Sequence, residues 1–462
     1  MKKTTVSVAY ALNKNKNTIA LCKRGLNVYK TEGIKGIKNR LNIFYQNDSY
    51  EKTLIANPTV DISLFNYLEH YNRTFDLAKN ICPKYTCYKE NEIRNFDTKL
   101  IAFYLPQFHC FPENDKWWGK GFTEWRNVTK AVPQFIGHNQ PLLPSDLGFY
   151  DLNNDDVLMD QVKIAKNYGI AAFCFHYYWF SGRKLMNKPI EKYLNNKELD
   201  LNFCICWANE NWTRRWDGNE SDVLIGQEHS LEIDSKFILD IKQFLEDERY
   251  IKVNGKKLIV IYRPSIIPNI KEVVENWRTH CRNNGLGEIH LVMAKSFDQV
   301  DPSLYGFDAA VEFPPHQLGA IVSPEKIDNT QLLNKSFEGL IFDYNKVVNA
   351  KLREYKDQFS DNLYRTVFPS WDNEARKPGR GHIFKGSTSG KYQEWLEGAI
   401  DYSKKNKVEN ESLVFINAWN EWAEGAVLEP TLKEGYSYLN ATFNALERSK
   451  VNDFCIQTQR AF

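Results

Sequence analysis

The sequence is short of several things, and each shortage narrows what the chain does. It has no run of the ~18 apolar residues that a spanning helix needs, so no transmembrane helix is expected. It has almost no net charge: 60 Lys and Arg stand against 58 Asp and Glu in 462 residues. A nucleic-acid binder driven by bulk positive charge is thereby excluded. No G-x-G-x-x-G or G-x-x-x-x-G-K-[ST] follows the first strand-like run, so a standard dinucleotide or phosphate loop is absent and no cofactor is expected. His109, His138, His176, His316 and His382 form no H-x-H or H-x-x-x-H, and the cysteines form no CxxC or zinc-spaced pair, so no metal site is indicated. The nine cysteines are odd in number, and several sit in apolar runs such as Cys174 in "AAFCFHYYWF". They read as buried reduced thiols in a reducing compartment. The N-terminal "MKKTTVSVAYALNKNKN" is too polar for a signal-peptide core, and the chain is expected to be cytoplasmic.

What is abundant is aromatic. Phe, Trp and Tyr make up 14% of the chain, with 12 Trp and 24 Tyr. Flat rings suit the apolar faces of sugars, although a large aromatic core gives the same count. From residue 98 onward, apolar runs alternate with amphipathic stretches. The strand-like runs cover 100–108, 170–180, 202–211, 257–264, 289–296, 309–315, 366–374 and 413–422. Helical spacing fits 155–168, 231–245, 270–284 and 391–405. Continuously apolar strands separated by helices mean a parallel sheet covered on both faces. Eight such units predict a (β/α)8 TIM-type barrel, an α/β fold, with an open doubly wound sheet as the alternative. The expected organisation is an N-terminal, mainly helical extension over 1–97, the barrel over 98–448 and a tail over 449–462.

Each run begins apolar and ends in chemistry. The ends carry Gln107 and His109; His176 and Tyr178; Trp207, Asn209, Glu210 and Trp212; Tyr262 and Arg263; Glu312; Trp371; and Asn420 to Glu424. Polar groups at the C-terminal mouth of a barrel read as an active site, because the βα loops converge there. The last run, "INAWNEWAEGAVLEP", sets Glu421, Glu424 and Glu429 among Trp419, Trp422, Asn417 and Asn420. Two carboxyls three residues apart come within ~5–6 Å if the chain turns helically after the strand. A retaining glycosidase holds its pair ~5–5.5 Å apart, one protonated and one ionised. Glu429, beside Pro430, is expected to orient a loop or bind substrate.

"NEWAEGAVLEP" resembles the glycosyltransferase WbsX family, whose catalytic-type domain is similar to glycoside hydrolase family 99. So do "FYLPQFHCFPENDKWWGKGFTEWRNV", "HNQPLLPSDLGFYD", "FCFHYYWFSGRKLM" and "CWANENWTRRWDG", a likeness covering roughly 98–448. The resemblance implies a (β/α)8 barrel. It also implies that Glu421 is a general base acting on the neighbouring 2-hydroxyl through an anhydro-sugar step, and that Glu424 is the acid/base at the glycosidic oxygen. Ala423 stands where family 99 segments carry His, which bears on substrate and leaves both carboxyls in place. From the other blocks, Trp117, Trp118, Glu124 and Trp125 are expected to line the sugar cleft with His176, Tyr178, Asn209, Glu210 and Tyr262.

The resemblance implies a glycosyltransferase of surface-polysaccharide (O-antigen or capsule) synthesis. Its partners would be an oligosaccharide or lipid-linked glycan acceptor and a nucleotide-sugar donor. The D-x-D metal motif of many nucleotide-sugar transferases is absent. A retaining endo-mannosidase-like hydrolase or transglycosidase, and a non-catalytic glycan-binding protein, are therefore the alternatives. The basic amphipathic stretch 23–46 suits peripheral contact with the inner face of a membrane, or a helix packed on the main domain. "WDNEARKPGRG" (371–381) reads as a basic solvated loop; its sharper alternative is contact with a phosphate of donor or lipid carrier.

Overall fold

In the computed structural model, residues 85–214 and 219–460 are described. The amphipathic stretch at 23–46, and the rest of the expected extension up to residue 84, lie outside the described residues. The barrel strands are β1 (Thr98–Tyr104), β2 (Ile170–Phe180), β3 (Asn202–Trp207), β4 (Lys256–Ile261), β5 (Ile289–Lys295), β6 (Ala309–Glu312), β7 (Leu363–Val367) and β8 (Ser412–Ile416). Each pairs in parallel with the next, and β8 returns to pair with β1 through Thr98 opposite Ser412 and Ala102 opposite Ile416. The expected barrel is therefore closed, and the open-sheet alternative is not what forms.

Helices follow seven of the eight strands: α1 (Asp155–Asn167), α2 (Lys188–Asn195), α3 (Leu231–Asp240), α4 (Ile270–Asn283), α5 (Tyr344–Asp357), α6 (Ser389–Lys405) and α7 (Ser437–Arg460). After β5 a single 3-10 turn, Pro302–Tyr305, takes the helix's place. Side chains fix the starts. Asn154 accepts from the Asp156 amide, Ser230 from Ile233, Asp343 from Asn345 and Thr388 from Lys391, each satisfying an otherwise orphaned donor. The helix expected over 231–245 breaks at Ile241 into α3 and the short Lys242–Leu245. α7 runs across residue 448, where the barrel was expected to end.

Strand alternation sorts the side chains. Along β2, Tyr177 and Trp179 face the helices, packing on Phe237 and Phe244 of the α3 region. His176 and Tyr178 face the interior. The barrel is filled rather than open: Phe103 of β1 meets Phe313, which follows β6, at 4.9 Å between ring centres, and meets Phe415 of β8 at 5.5 Å. β1 and β6 are not neighbours, so that contact crosses the interior. Residues 85–97 form an extended strap without helix. Asn91 donates from its backbone amide to Asn167 Oδ1 and from its side-chain NH2 to the Asn167 carbonyl, and Tyr88 sets its edge against Tyr168 and Tyr436. Cys174, Cys204, Cys206 and Cys281 are buried free thiols. Among the described residues no helix is long and apolar enough to cross a membrane.

Candidate active site

The C-terminal ends of the strands surround a cavity of about 600 Å³, a size suited to a few sugar rings. His176, Tyr178, Glu210, Trp212, Tyr262, Trp371, Glu421 and Glu424 line it, all of them residues marked out by the sequence. So do Asn373, Arg376, Lys377, His316, His382 and Asn417. Aromatic walls come from Phe297, Phe313, Phe342 and Phe384.

The floor is built by the chain beyond β8. Asn420 and Glu421 form a two-residue strand paired with Ala426 and Val427, and Trp422–Glu424 make a 3-10 turn between them. This is the turn that the paired carboxyls require. Asn420 clamps the segment to the end of β1: its amide oxygen accepts from the Leu105 amide (2.8 Å), and its NH2 donates to the Leu105 carbonyl (3.0 Å). Asn417 donates to the Pro314 carbonyl at 2.6 Å.

One guanidinium joins the carboxyls. Arg376 reaches Glu421 at 3.0 Å and Glu424 at 2.8 Å through different nitrogens. It also donates to Glu124 from Nε (2.5 Å) and Nη2 (2.9 Å). Gln107 donates to Glu124 (2.7 Å) and to both oxygens of Glu421 (3.3 Å). Arg376 is 7% exposed and Glu124 is fully buried. The solvated loop expected at 371–381 is thus corrected. Its first arginine is withdrawn from water because three carboxyls converge on it, and it does not present its charge to a phosphate in solvent.

Three acids facing one cation leave an excess of negative charge in a dry place. Burial pushes the Glu421 carboxyl up to about 8; Arg376 pulls it down, and Glu124 and Glu424 push it further up. The Glu421 carboxyl is thus held well above the ordinary carboxyl range. His176 is driven down to about 4 by burial and by the charge of Arg376, and faces the cavity as neutral imidazole. Burial raises the Tyr178 hydroxyl well above its usual range, keeping it a neutral donor.

Other sequence-marked residues stand behind the walls. Glu429 is 1% exposed and accepts from Tyr150 (2.8 Å), Gln161 (2.6 Å) and Trp422 (2.7 Å). Burial raises it to about 7. These bonds tie the segment after the turn to Tyr150 and α1, and Glu429, expected to orient a loop or bind substrate, does not line the cavity. Trp422 packs on Trp125, whose indole donates to the Tyr150 carbonyl at 2.8 Å. Trp207 faces the helices, stacked on Phe237 at 4.2 Å. Glu312 also faces the helices: it accepts from Lys351 (2.6 Å) and Arg365 (2.8 Å), while its neighbour Phe313 lines the cavity. Alternation along a strand sends adjacent residues to opposite faces, so a strand end alone does not say which of two neighbours meets substrate. Asn209 ties the Arg263 backbone from both sides at 2.8 Å. Arg263 pairs with Glu210 at 2.8 Å and lies 4.5 Å over the ring of Phe297. Trp117 stacks behind Trp212 at 6.3 Å, and Trp118 on Phe122 at 5.3 Å. Among the described residues no group of three His, Cys, Asp or Glu is arranged to hold a metal ion.

A family model described as glycosyltransferase WbsX matches residues 100–442, from within β1 into α7. The chain belongs to that family. An uncharacterised protein, WxcX, of Xanthomonas campestris pv. campestris strain B100 is 47% identical over 350 residues, 76% of this chain and 50% of that protein. The chain therefore spans about half the length of the curated relatives it matches. Among solved structures, a family 99 endo-alpha-mannosidase from Bacteroides thetaiotaomicron superposes with a TM-score of 0.50 at 13% identity, covering 78% of this chain and all of that one. A glycoside hydrolase-like protein gives a TM-score of 0.50 at 14% identity over 78% of this chain and 97% of its own. These likenesses give the fold, a family 99-like barrel. Family and fold are thus those of a WbsX chain on a family 99-like barrel.

Proposed function

We propose that the protein is a glycosyltransferase of bacterial surface-polysaccharide synthesis, acting in the cytoplasm on an oligosaccharide or lipid-linked glycan acceptor, with a nucleotide sugar as donor. The observation that carries the reading is the carboxyl pair Glu421 and Glu424, held on one guanidinium at the floor of an aromatic-walled cavity. Such a pair does proton work at an anomeric centre. Glu424 gives a proton to the departing oxygen, and ionised Glu421 takes one from a sugar hydroxyl. The rings of Trp212, Tyr262 and Trp371 suit sugar faces, and Glu210, Asn373 and His382 suit hydroxyls. The raised Glu421 carboxyl gives the roles a sign. As the base, Glu421 must lose its proton first, so kcat/KM rises along an acid limb centred near pH 8; as the acid, it would make the rate fall there instead.

The test is nucleotide release from a panel of nucleotide sugars with a native oligosaccharide acceptor, comparing wild type with Glu424→Gln. Release that depends on Glu424 supports transfer. Cleavage of an α-linked oligosaccharide by wild type, without nucleotide release, makes the enzyme a retaining hydrolase or transglycosidase with water or a hydroxyl as acceptor. Glycan binding that survives Glu421→Gln and Glu424→Gln, with no turnover, makes it a binding protein.

A further inference from the structure

Arg376 stands on an immobilised loop. The Asp372 amide donates to the Glu424 carbonyl at 2.7 Å, tying the loop directly to the catalytic turn. Gly425 lies so close that an added Cβ would meet the Asp372 backbone at 3.0 Å, and it adopts φ +64°, where a side chain is strained. The Asp372 carboxylate accepts from His138 (2.6 Å), Gln140 (2.8 Å) and the Glu374 amide (3.1 Å). The Gln134 amide donates to His138 Nδ1 at 3.0 Å, which leaves Nε2 as the protonated nitrogen facing Asp372. Glu374 gathers the far side of the loop by accepting from the Gly379 amide (2.6 Å) and the Gly381 amide (3.3 Å). These contacts give the block "HNQPLLPSD" a role: it bolts the loop that delivers Arg376. An arginine held this firmly among three acids, with Glu124 and Glu421 buried beside it, carries a desolvation cost that a solvated loop would avoid. Removing the guanidinium would strand the carboxyls.

We propose that Arg376 and Glu124 are positioning residues for the catalytic pair: Arg376 aims Glu421 and Glu424 through separate guanidinium nitrogens, and Glu124 anchors that guanidinium from behind. The assignment rests on the proposed roles of Glu421 and Glu424, and extends them to two side chains that act through the pair. Among the described residues, the ionisable groups around Glu421 are Glu124 from the segment after β1, His176 and Tyr178 from β2, Arg376 and Lys377 from the loop after β7, and Glu424 from its own turn. Arg376 is the cation whose field lowers Glu421, and Glu124 is the first of the anions that raise it. The two changes therefore have opposite signs. Losing the cation drives the carboxyl up; losing the Glu124 charge lets it fall.

The experiment is a pH titration of the Glu421 carboxyl by difference infrared spectroscopy, each protein read against its own Glu421→Gln partner. It uses wild type, Arg376→Met, Arg376→Lys and Glu124→Gln. The expected midpoint moves up by about one pH unit or more in Arg376→Met, stays near wild type in Arg376→Lys, and moves down in Glu124→Gln. Loss of packing alone would not move two variants in opposite directions. Midpoints that stay together, or shift the same way in both variants, overturn the inference. If Arg376→Met does not fold, the near-isosteric Glu124→Gln and the charge-keeping Arg376→Lys still decide it. The titration needs no turnover. A failed search for a glycosyl donor would therefore count against the proposed function without touching this result.

Discussion

Two buried clusters in this barrel look alike in composition and differ in arithmetic. On the helix-facing side, Glu312 and Glu354 meet Lys351 and Arg365, two acids against two bases. At the cavity floor, Glu124, Glu421 and Glu424 share the guanidinium of Arg376. Burial pushes a carboxyl up in both places. In the balanced cluster Lys351 and Arg365 overcome it, and Glu312 ends below the ordinary carboxylate range. In the unbalanced one, burial and the extra acids win, and Glu421 rises to about 8. Balanced charge makes a rivet; three acids on one shared guanidinium leave a carboxyl raised. Arg365 also lies over the rings of Tyr355 (4.7 Å) and Tyr402 (4.2 Å), knitting β7 to α5 and α6.

The comparison breaks most readily at the extremes. Glu424→Gln is expected to cut glycosyl transfer by about 10²- to 10⁴-fold, the usual worth of positioned acid–base work, while the melting temperature stays near wild type. An unchanged rate would remove Glu424 from the chemistry. Arg365→Met should do the reverse. It leaves Glu312 and the partly exposed Glu354 with one cation fewer, at a cost of about 3–5 kcal/mol in a denaturant titration, with the rate per folded molecule intact.

A gentler probe is the pH dependence of stability in wild type and Glu421→Gln. The folded Glu421 carboxyl holds its proton more tightly than the unfolded one. Its contribution is complete below the ordinary carboxyl value of 4.5 and is lost as pH rises through about 8. Wild type should lose stability relative to Glu421→Gln across that window, and parallel curves would mean that the carboxyl is not raised. The smallest effect belongs to an exposed pair. Lys236→Ala breaks the 2.8 Å contact with Glu232 and is expected to leave the melting temperature unchanged within measurement error.

The barrel was legible because its strands are continuously apolar and its helices keep their spacing and caps. "IAAFCFHYYWF" was read over 170–180 and forms β2 over those residues. The strand ends were overextended: the run read over 366–374 is β7 only to Val367, because Pro369 and the turn at Asn373–Ala375 follow. At the site, Glu421, Glu424, His176 and Tyr178 were visible as polar groups closing apolar strands. The wall to which Glu312 and Trp207 belong was not, because it depends on the phase of the alternation. Arg376 was hidden for a different reason. Among Gly, Pro and Lys it has the local signature of a solvated loop, and its burial depends on Glu124, 252 positions away in the chain.

The central claim is that the cavity floor carries one proton more than its acids would keep in water, and that Glu421 holds it. The most direct measurement is the infrared titration of wild type minus Glu421→Gln. A carboxyl band converting to carboxylate near pH 8 is the predicted result. Conversion complete by about pH 5, in the ordinary glutamate range, would contradict it.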